Sequence, residues 1–223
     1  MQKFITNHPD LFPVSNLENN KAYNVDINIL YKDDALMNEW NSFKDDIVNN
    51  PRHTLNCLSV AIDQMMINRI NNPNILENLP KAIARISNYG PVIPLRDLKM
   101  NSYGKLMSVR GCIMRVEKMK HFAQWIEFSC MSCTSQKIVR QIDGIYTLPT
   151  KCIGCNGKKF RPVLSSLHTK TVTFQVIRLQ EHFGDEQDDK GRRPRTIDVD
   201  LIEDLVNTCM PGNDVTVTGI IKV

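Results

Sequence analysis

The stretch TIDVDLIEDLVNTCMPGNDVTVTGI, from Thr196 to Ile220, decides how the second half of the chain folds. Its first residues alternate, so that Ile197, Val199 and Leu201 share one face, as in a half-buried β-strand. The next segment, EDLVNTC, predicts a short helical piece, and DVTVTG is again rich in β-branched residues. The stretch therefore predicts a strand, a short helix and another strand.

Two segments upstream extend this pattern. KLMSVRGCIMRV (Lys105 to Val116) and TVTFQVIRLQE (Thr171 to Glu181) are also rich in β-branched residues. Gly111 and Gly219 lie inside predicted strands, where glycine usually marks a bulge or a sharp bend. Short, strongly curved strands with one short helix before the last of them predict a small barrel of the oligonucleotide-binding (OB) type.

The first 90 residues have a different pattern, with apolar residues at helical spacing. This spacing runs from Asp33 to Asn50 and from His53 to Ile70, and prolines at positions 51 and 73 mark the boundaries. The Met-bearing apolar stripe of the second segment is typical of a helix-bundle core and not of a ligand site. We therefore expect an α+β chain with a helical bundle subdomain at residues 1–90 and an OB-fold domain at residues 91–223.

Four cysteines lie between the first and the later strands of the predicted barrel, in two Cys-x-x-Cys pairs: Cys130 with Cys133, and Cys152 with Cys155. Two such pairs at this spacing, brought together by a hairpin, place four sulfur atoms around one Zn²⁺ ion. Because four cysteines leave no open coordination position, such a metal would be structural. The segments KIVRQI and IYTL are predicted to be the two strands of this zinc ribbon, joined by an Asp-Gly turn at 143–144. The ribbon as a whole would be an insertion in the barrel at about residues 127–160.

An iron–sulfur cluster held by four cysteines and a thioredoxin-like redox pair are the two alternatives for these thiols. Neither pair lies in a βαβ pattern, and the spacing suits a ribbon, so structural zinc is the favoured interpretation. We expect the other three cysteines to be buried and to act as small hydrophobic side chains. His121, the histidine nearest to the pairs, receives no metal role because four thiols already complete a tetrahedron.

Composition and charge restrict the class of protein. With 223 residues, of which 42% are hydrophobic, the chain is long enough to bury a sizeable core. It has no apolar run of membrane-spanning length and no signal-peptide pattern, so we expect an intracellular protein with reduced cysteines. Residues 1–90 hold eight Lys and Arg against ten Asp and Glu, a net charge of −2, whereas residues 91–223 hold twenty against fourteen, a net charge of +6. The second part is therefore suited to an anionic partner.

Catalytic motifs are missing from the sequence. It contains no phosphate loop of the form G-x-x-x-x-G-K-[ST], no dinucleotide motif G-x-G-x-x-G and no metalloprotease motif H-E-x-x-H. We therefore predict no enzyme activity within these 223 residues.

Basic residues cluster in the predicted barrel and ribbon. Between positions 105 and 120 five basic residues accompany one acid, and between positions 137 and 161 six accompany one acid. OB barrels bind single strands through a basic groove with aromatic stacking. Aromatic candidates are few, so we expect contacts to phosphates more than to bases, with strong salt dependence; the candidates are Phe122, Trp125, Phe128 and Phe174. The alternative is that these charges form only a solvated face.

Several segments of residues 86–223 together match one family: ISNYGPVIPLRDLK, GKLMSVRGCIMRV, the cysteine pairs, VIRLQE and RPRTIDVDLIEDLVNTCMPGNDVTVTGIIKV. The last is the most specific, with P-R-T-I followed by D-L-V and P-G-x-x-V-x-V-T-G-I. This part of the chain resembles the N-terminal domain of the minichromosome maintenance (MCM) helicases, and residues 1–90 resemble it weakly. Within the family, DGIYTLPTKC and TLNCLSVAIDQM are most similar to the eighth paralogue group, which acts in homologous recombination and meiosis with the ninth as partner.

The resemblance implies a tier made of a helical subdomain, an OB barrel and a zinc ribbon. Six such copies form a ring around single-stranded DNA, so the implied partners are single-stranded DNA and either the same chain or the ninth paralogue in a hexamer. ATP and Mg²⁺ would belong to a motor domain after residue 223, which would make the parent an ATP-dependent DNA helicase, expected in the nucleus and in double-strand break repair. The chain would stop before the family's N-terminal hairpin and closing strand, which leaves the barrel incompletely closed.

The resemblance also assigns roles to individual residues. The four paired cysteines match the family's zinc ligands. Arg115 and Arg178 match positions that send basic side chains to single-stranded DNA, and this predicted DNA surface is extended by Arg110, Lys118 and Lys120. The segment from Gln180 to Pro194 matches the family's allosteric control loop, and the basic residues in it or next to it are Arg192, Arg193 and Arg195.

Two other classes of function stay open from the residues alone. One is a stand-alone zinc-ribbon OB protein that coats single strands, and the other is a zinc-stapled protein–protein interaction module. A phosphate loop and an arginine finger further along the coding sequence would separate a helicase from the first. Salt-dependent binding of single-stranded DNA would separate both DNA-binding classes from the second.

Overall fold

A computed structural model describes residues 4–5, 12–13, 21–69, 81–141, 144–181 and 193–222 of the chain. Its helices include α1 (Ile27–Lys32), α2 (Asp34–Glu39), α3 (Phe43–Asn49) and α4 (Pro51–Arg69). Its strands are β1 (Ala22–Asp26), β2 (Ile83–Ser87), β3 (Val92–Ile93), β4 (Leu106–Val116), β5 (Lys120–Cys130), β6 (Gln136–Arg140), β7 (Phe160–Val163), β8 (Lys170–Gln180), β9 (Thr196–Ile202) and β10 (Asp214–Ile220). No helix in these ranges is both long enough and apolar enough to cross a membrane.

The chain divides into two compact units. The first holds residues 1–113, 179–197 and 212–223, and the second holds residues 114–178 and 198–211. Strands β4, β8 and β9 pass from one unit into the other. Because this division cuts through strands, it does not test the domain boundary predicted between residues 90 and 91, which stays a prediction.

The helices of the first unit begin at residues that favour helix starts. The Asp26 carboxylate accepts a hydrogen bond from the Asn28 N–H at 2.8 Å at the start of α1, and the Asp33 carboxylate accepts one from the Leu36 N–H at 2.9 Å at the start of α2. Pro51 is the first residue of α4, where its missing N–H removes no helical hydrogen bond. Two aspartate caps and one proline therefore fix where these three helices begin.

Helix α4 buries one face, as its apolar spacing predicts. Leu58, Ile62 and Met66 recur every fourth residue and are at most 1% exposed. Leu55 and Met65, also in the predicted stripe, are only partly buried at its edge. The buried face joins a hydrophobic core to which other elements contribute Tyr23, Val25, Leu30, Phe43 and Ile47.

A small sheet lies in the part of the chain that the sequence predicted as a helical bundle. Strand β1 pairs in parallel with β2, and it turns Tyr23 into the core. Side chains of helix α4 hold β2 and the residue before it. The Asp63 carboxylate accepts a hydrogen bond from the Ala82 N–H at 2.7 Å, and the Ser59 hydroxyl accepts one from the Ala84 N–H at 3.0 Å. The described residues therefore form helices with a two-stranded sheet and do not confirm a helical bundle.

The strands predicted for the barrel are present. Strands β4, β8, β9 and β10 cover the four segments rich in β-branched residues, and β9 coincides with TIDVDLI. The strand order is β10-β4-β8-β5-β6, while β3 also pairs with β4, β7 with β5, and β9 with β8. Pairing is antiparallel between β4 and β10 and parallel between β3 and β4, so the sheet is mixed. The helical piece predicted over 203–209 is shorter than expected, a single 3₁₀ turn at Glu203–Leu205.

Gly111 lies where β4 approaches the end of β8 closely. A Cβ atom at this position would lie 2.4 Å from the Gln180 carbonyl oxygen and 2.8 Å from Leu179 Cγ. At Gly219, by contrast, a Cβ atom would meet no atom of the described residues within 4 Å. Glycine is therefore needed at position 111 for close backbone approach, whereas position 219 has room for a side chain.

Candidate metal centre and nucleic-acid surface

Each Cys-x-x-Cys pair lies in a tight turn of the same form. The Thr134 N–H donates to the Cys130 carbonyl oxygen at 3.0 Å, and the Asn156 N–H donates to the Cys152 carbonyl oxygen at 3.2 Å. Thr134 and Asn156 both have a positive φ, of 58° and 55°. The two turns therefore position their thiols by the same local geometry.

The four thiols converge on one point. Cys130 Sγ lies 3.5 Å from Cys155 Sγ, Cys133 Sγ lies 3.4 Å from Cys152 Sγ, and all four sulfur atoms lie within 4.8 Å of one another. Sulfur atoms bound tetrahedrally to zinc at about 2.3 Å would be about 3.8 Å apart. The four cysteines singled out by their spacing are therefore close enough together to hold a metal ion of this kind.

Neighbouring hydrogen bonds influence the protonation of these thiols. The Ser135 hydroxyl lies 3.0 Å from Cys152 Sγ and 3.4 Å from Cys133 Sγ. This contact, followed by hydrogen bonds from the backbone of Cys155 and Gly154, lowers the pKa of Cys152 to about 5. The Ser135 contact also lowers the pKa of Cys133. At Cys155 a hydrogen bond from the Gly157 backbone lowers the pKa, but the adjacent thiols, Cys133 first, outweigh it and raise the pKa to about 12. Two thiols thus favour the thiolate that metals bind, and Cys155 would need the charge of a cation to ionise.

The ribbon around the cysteines is built on β5, which pairs antiparallel with both β6 and β7. The segment 145–148, predicted as the returning strand, is not a strand. The buried Gln141 side chain binds its main chain instead, since Gln141 Nε2 donates to the Thr147 carbonyl oxygen at 3.1 Å and the Thr147 N–H donates to Gln141 Oε1. Of the predicted turn, Gly144 has a φ of 77°, and residue 143 lies outside the described residues. Strand β7 therefore takes the place of the predicted second strand.

Basic side chains gather near the turn between β4 and β5, in the second compact unit. The side chain of Arg115, near the end of β4, is exposed, and Lys118 is exposed in the turn. Lys120 begins β5, and its Nζ lies 3.2 Å from Glu117 Oε2. The Glu117 N–H donates to a main-chain carbonyl oxygen of β8 at 2.8 Å, which ties this turn to the strand that carries Arg178.

Arg178 forms a two-point ion pair with Asp198 on the neighbouring strand β9. Arg178 Nε donates to Asp198 Oδ1 at 2.7 Å, and Nη2 donates to Oδ2 at 2.9 Å. The hydrogen bond from Arg178 lowers the pKa of Asp198, and the charge of Arg115 lowers it further. Arg178 therefore binds this carboxylate directly, and Arg115 acts on it through its charge. These three residues with Lys118 are called the arginine surface below.

Comparison with known protein families shows what the chain is related to. A family model described as the MCM OB domain matches residues 94–223, and a model described as the MCM8 N-terminal domain matches residues 1–89. The chain belongs to the minichromosome maintenance (MCM) family. This confirms the resemblance noted in the sequence and, for residues 94–223, the OB-fold.

Individual relatives match most or all of this MCM chain. It is 36% identical over 238 residues to the DNA helicase MCM8 of Mus musculus, a match that covers 100% of this chain and 29% of the relative. It is 34% identical over 238 residues to the DNA helicase MCM8 of Homo sapiens, covering 100% and 28%, and 37% identical over 177 residues to the probable DNA helicase MCM8 of Arabidopsis thaliana, covering 78% and 22%. The MCM chain thus spans less than a third of these relatives and corresponds to the N-terminal region of an MCM8 helicase.

Three other predicted site residues of the MCM chain, Arg110, Arg193 and Arg195, belong to its first compact unit. Arg110 is exposed on β4 opposite Thr216. Arg193 is exposed, and Arg192 lies outside the described residues. Arg195 is held by the chain itself, because its Nη1 donates to the Arg96 carbonyl oxygen at 3.0 Å.

Both ends of the predicted allosteric loop of the MCM chain are held by the same few contacts. The Glu181 N–H donates to the Arg195 carbonyl oxygen at 3.0 Å, and the Glu181 carboxylate lies 3.3 Å from Arg96 Nε. Arg96 therefore receives contacts from both ends, through its side chain and through its carbonyl oxygen. These contacts fix the chain on either side of the loop.

Asp198 and Ser135 are the site residues of the MCM chain that the sequence did not single out. The alternation in TIDVDLI places Asp198 on the face opposite Ile197 and Val199, which is a usable signal for an exposed acid beside a basic strand. Ser135 follows the first cysteine pair directly, but its contact with Cys152 depends on how the two turns meet, and the sequence gives no sign of that.

Proposed function

We propose that this chain is the N-terminal DNA-binding and ring-assembly domain of an MCM-type DNA helicase that acts in homologous recombination, double-strand break repair and meiosis. The observation that carries the DNA-binding part is the exposed arginine surface, which lies within the residues that match the MCM OB domain. The match of the whole chain to proteins named DNA helicase MCM8 supports the helicase part. The role in recombination follows from the resemblance to the eighth paralogue group.

The arginine surface is suited to the phosphates of a single strand. Arg115, Lys118 and Arg178 carry three positive charges against the one negative charge of Asp198, so the surface keeps a positive balance. A guanidinium binds phosphate through the same two-point geometry with which Arg178 already binds a carboxylate. Contacts of this kind release counterions from the nucleic acid and make affinity fall with salt.

Zinc is the cofactor in this proposal, and its role is structural. Cys130, Cys133, Cys152 and Cys155 would hold it and would leave no position for a substrate or a reactive water. Zinc in a module of this size contributes about 10 kcal/mol to folding, because the unfolded chain has no preformed site. The metal would therefore fix the two turns and the ribbon and would take no part in a reaction.

The remaining parts of the proposal concern the whole helicase. The chain would assemble with itself or with the ninth paralogue into a hexameric ring in the nucleus, and ATP with Mg²⁺ would bind a separate motor domain. Residues 1–90 would be the helical subdomain of the ring's N-terminal tier and residues 91–223 its OB domain. The segment from Gln180 to Pro194 would contact the motor, and the contacts of Arg96 with Glu181 and Arg195 would keep its ends in place.

Fluorescence anisotropy with a labelled oligo-dT strand tests the DNA-binding part. The purified chain should bind the strand, and binding should weaken steeply between 50 and 200 mM NaCl. The double reversal Arg115→Glu/Arg178→Glu should weaken binding by about 100-fold or more, since it replaces two attractive charges with two repulsive ones. The matched control is Lys32→Glu/Lys99→Glu, which makes the same change in net charge at exposed lysines of the first compact unit.

The control variant and the unaltered chain each test a separate part of the DNA-binding proposal. The control should bind within about threefold of the unaltered chain, because Lys32 and Lys99 are not part of the arginine surface. Equal weakening in the control would mean that net charge alone matters and that the arginine surface is not the contact. Absence of binding by the unaltered chain at 50 mM NaCl would overturn DNA binding as such.

A further inference from the structure

Trp125 is an exposed aromatic side chain between two basic residues in the second compact unit. Its side chain is 38% exposed, and in the antiparallel pairing it lies opposite Arg140 on β6 and Lys170 on β8. Residues directly opposite each other in antiparallel strands project to the same face of a sheet. Trp125 is therefore flanked by a cation on each side.

Arg140 is in contact with this indole ring. Its guanidinium carbon lies 5.9 Å from the ring centroid, within the range of a cation–π interaction. Among the residues that the structure describes, no carboxylate forms an ion pair with Arg140 or with Lys170. The two cations therefore keep their charge available to an anion from solution.

The other aromatic candidates of this region are not available in the same way. Phe128 is fully buried, with its ring against Tyr146. Phe122 and Phe174 are only partly exposed and pack edge to face, with ring centroids 5.5 Å apart. Trp125 alone of the four candidates combines an exposed ring with cationic neighbours.

The position of Trp125 on β5 also departs from a regular strand. The register between β5 and β8 shifts between Ala123 and Trp125, so Gln124 is an extra residue there. A bulge of this kind redirects the following side chain, and such irregularities occur often beside binding sites. Here the side chain that follows the bulge is a large apolar ring that remains open to water.

We propose that Trp125, Arg140 and Lys170 form a contact site for one nucleotide of a single strand, in which the base stacks on the indole and the flanking cations bind its phosphates. A nucleotide joins a flat base to an anionic group, and an exposed indole between two cations matches both parts. The site rests on the proposed function, because single-stranded DNA is its ligand. It uses none of the residues of the arginine surface, so the two can be tested apart.

Indole fluorescence with two kinds of strand tests this site. The chain has two tryptophans, so Trp40→Phe leaves Trp125 as the single tryptophan, which is excited selectively at the red edge of its absorption. Oligo-dT should quench this emission on binding, whereas an abasic strand of equal length, which has phosphates but no bases, should bind without quenching. Trp125→Ala should weaken oligo-dT binding about tenfold and leave abasic binding unchanged, and Trp125→Phe should restore most of the loss.

Controls separate this site from the proposed function. Tyr103→Ala, which removes an exposed aromatic ring in the first unit, should bind both strands normally. Arg115→Glu/Arg178→Glu should weaken both strands alike, which distinguishes phosphate contact from stacking. If oligo-dT binds without quenching and Trp125→Ala binds it like the unaltered chain, the stacking site is wrong while the proposed function stands. If no variant binds either strand, both the stacking site and the proposed function are wrong. Zinc content by native mass spectrometry verifies that the ribbon of each variant is folded.

Discussion

The cysteine centre and the arginine surface differ in how the chain specifies them. Each cysteine pair is positioned by hydrogen bonds within its own turn, such as the one from the Thr134 N–H to the Cys130 carbonyl oxygen. Arg178 and Asp198 are twenty positions apart and meet only because β8 and β9 are neighbours. Local spacing is therefore enough to predict the two turns that carry the cysteines, whereas the arginine surface requires the pairing of strands.

Loss of one cysteine should have the largest effect, because it breaks the locally specified site. Cys130→Ser replaces a buried thiol with a hydroxyl, a poor zinc ligand, so we expect the chain to lose its metal and the ribbon to unfold. Native mass spectrometry should show one zinc ion on the unaltered chain and none on the variant. Cys209→Ser, outside the cluster, should keep its zinc, and a Cys130→Ser variant that did so with full affinity would refute the metal centre.

A side chain at position 111 should have a smaller effect than loss of a cysteine. This substitution tests a contact made between two strands. Gly111→Ala would push a methyl group against the Gln180 carbonyl oxygen, and we expect it to lower the free energy of unfolding by about 1–3 kcal/mol. Gly219→Ala is the matched control and should change it by less than about 0.5 kcal/mol. Urea denaturation followed by circular dichroism measures both, and equal values for the two variants would show that the close approach at Gly111 is not real.

Removal of the Ser135 hydroxyl should weaken the metal centre without abolishing it. Ser135 contacts two of the thiols, and loss of a hydrogen bond to a ligand typically costs about tenfold or more in metal affinity. Competition with a chromogenic chelator should therefore show about tenfold weaker zinc binding by Ser135→Ala. Ser132→Ala, within the first cysteine pair, should bind zinc normally; a change of the same size in that variant would argue against a specific role for Ser135.

The smallest predicted effect comes from the carboxylate of the arginine surface. Asp198→Asn should release Arg178 for phosphate, and since exposed ion pairs contribute less than about 1 kcal/mol, we expect oligo-dT binding to tighten by at most about fivefold. Anisotropy at 50 mM NaCl resolves this change. Asp97→Asn makes the same charge change at an exposed position of the first unit and should leave affinity nearly unchanged. Weaker binding by Asp198→Asn would mean that the carboxylate holds Arg178 in its binding position.

The sequence predicted those features that depend on spacing within one segment. The cysteine pairs, the buried stripe of α4 and the alternation of β9 all follow from local periodicity, and the structure has them. The returning strand at 145–148 was predicted wrongly, because its β-like composition gives no sign that Gln141 binds its main chain. The parallel pairing of β1 with β2 was not foreseen, since it joins segments separated by α4.

The contrast between local spacing and strand pairing also explains why only part of the arginine surface could be predicted. Arg115 and Arg178 could be named from family resemblance. The pairing of Arg178 with Asp198 depends on strand register, which cannot be read from the sequence. The positions of the aromatic residues in the sequence likewise do not indicate which of their side chains is exposed. Phe128 and Trp125 are three positions apart, yet one is buried and the other is open to water.

The salt dependence of oligo-dT binding tests the central claim most directly. For single strands, the slope of log K against log salt changes by about 0.7 for each phosphate contact. We predict that Arg115→Glu/Arg178→Glu, while still carrying one zinc ion, lowers the steepness of this slope by about 1.4 or more relative to the unaltered chain. An unchanged slope and affinity in the folded, zinc-bound variant would contradict the claim that this surface binds DNA.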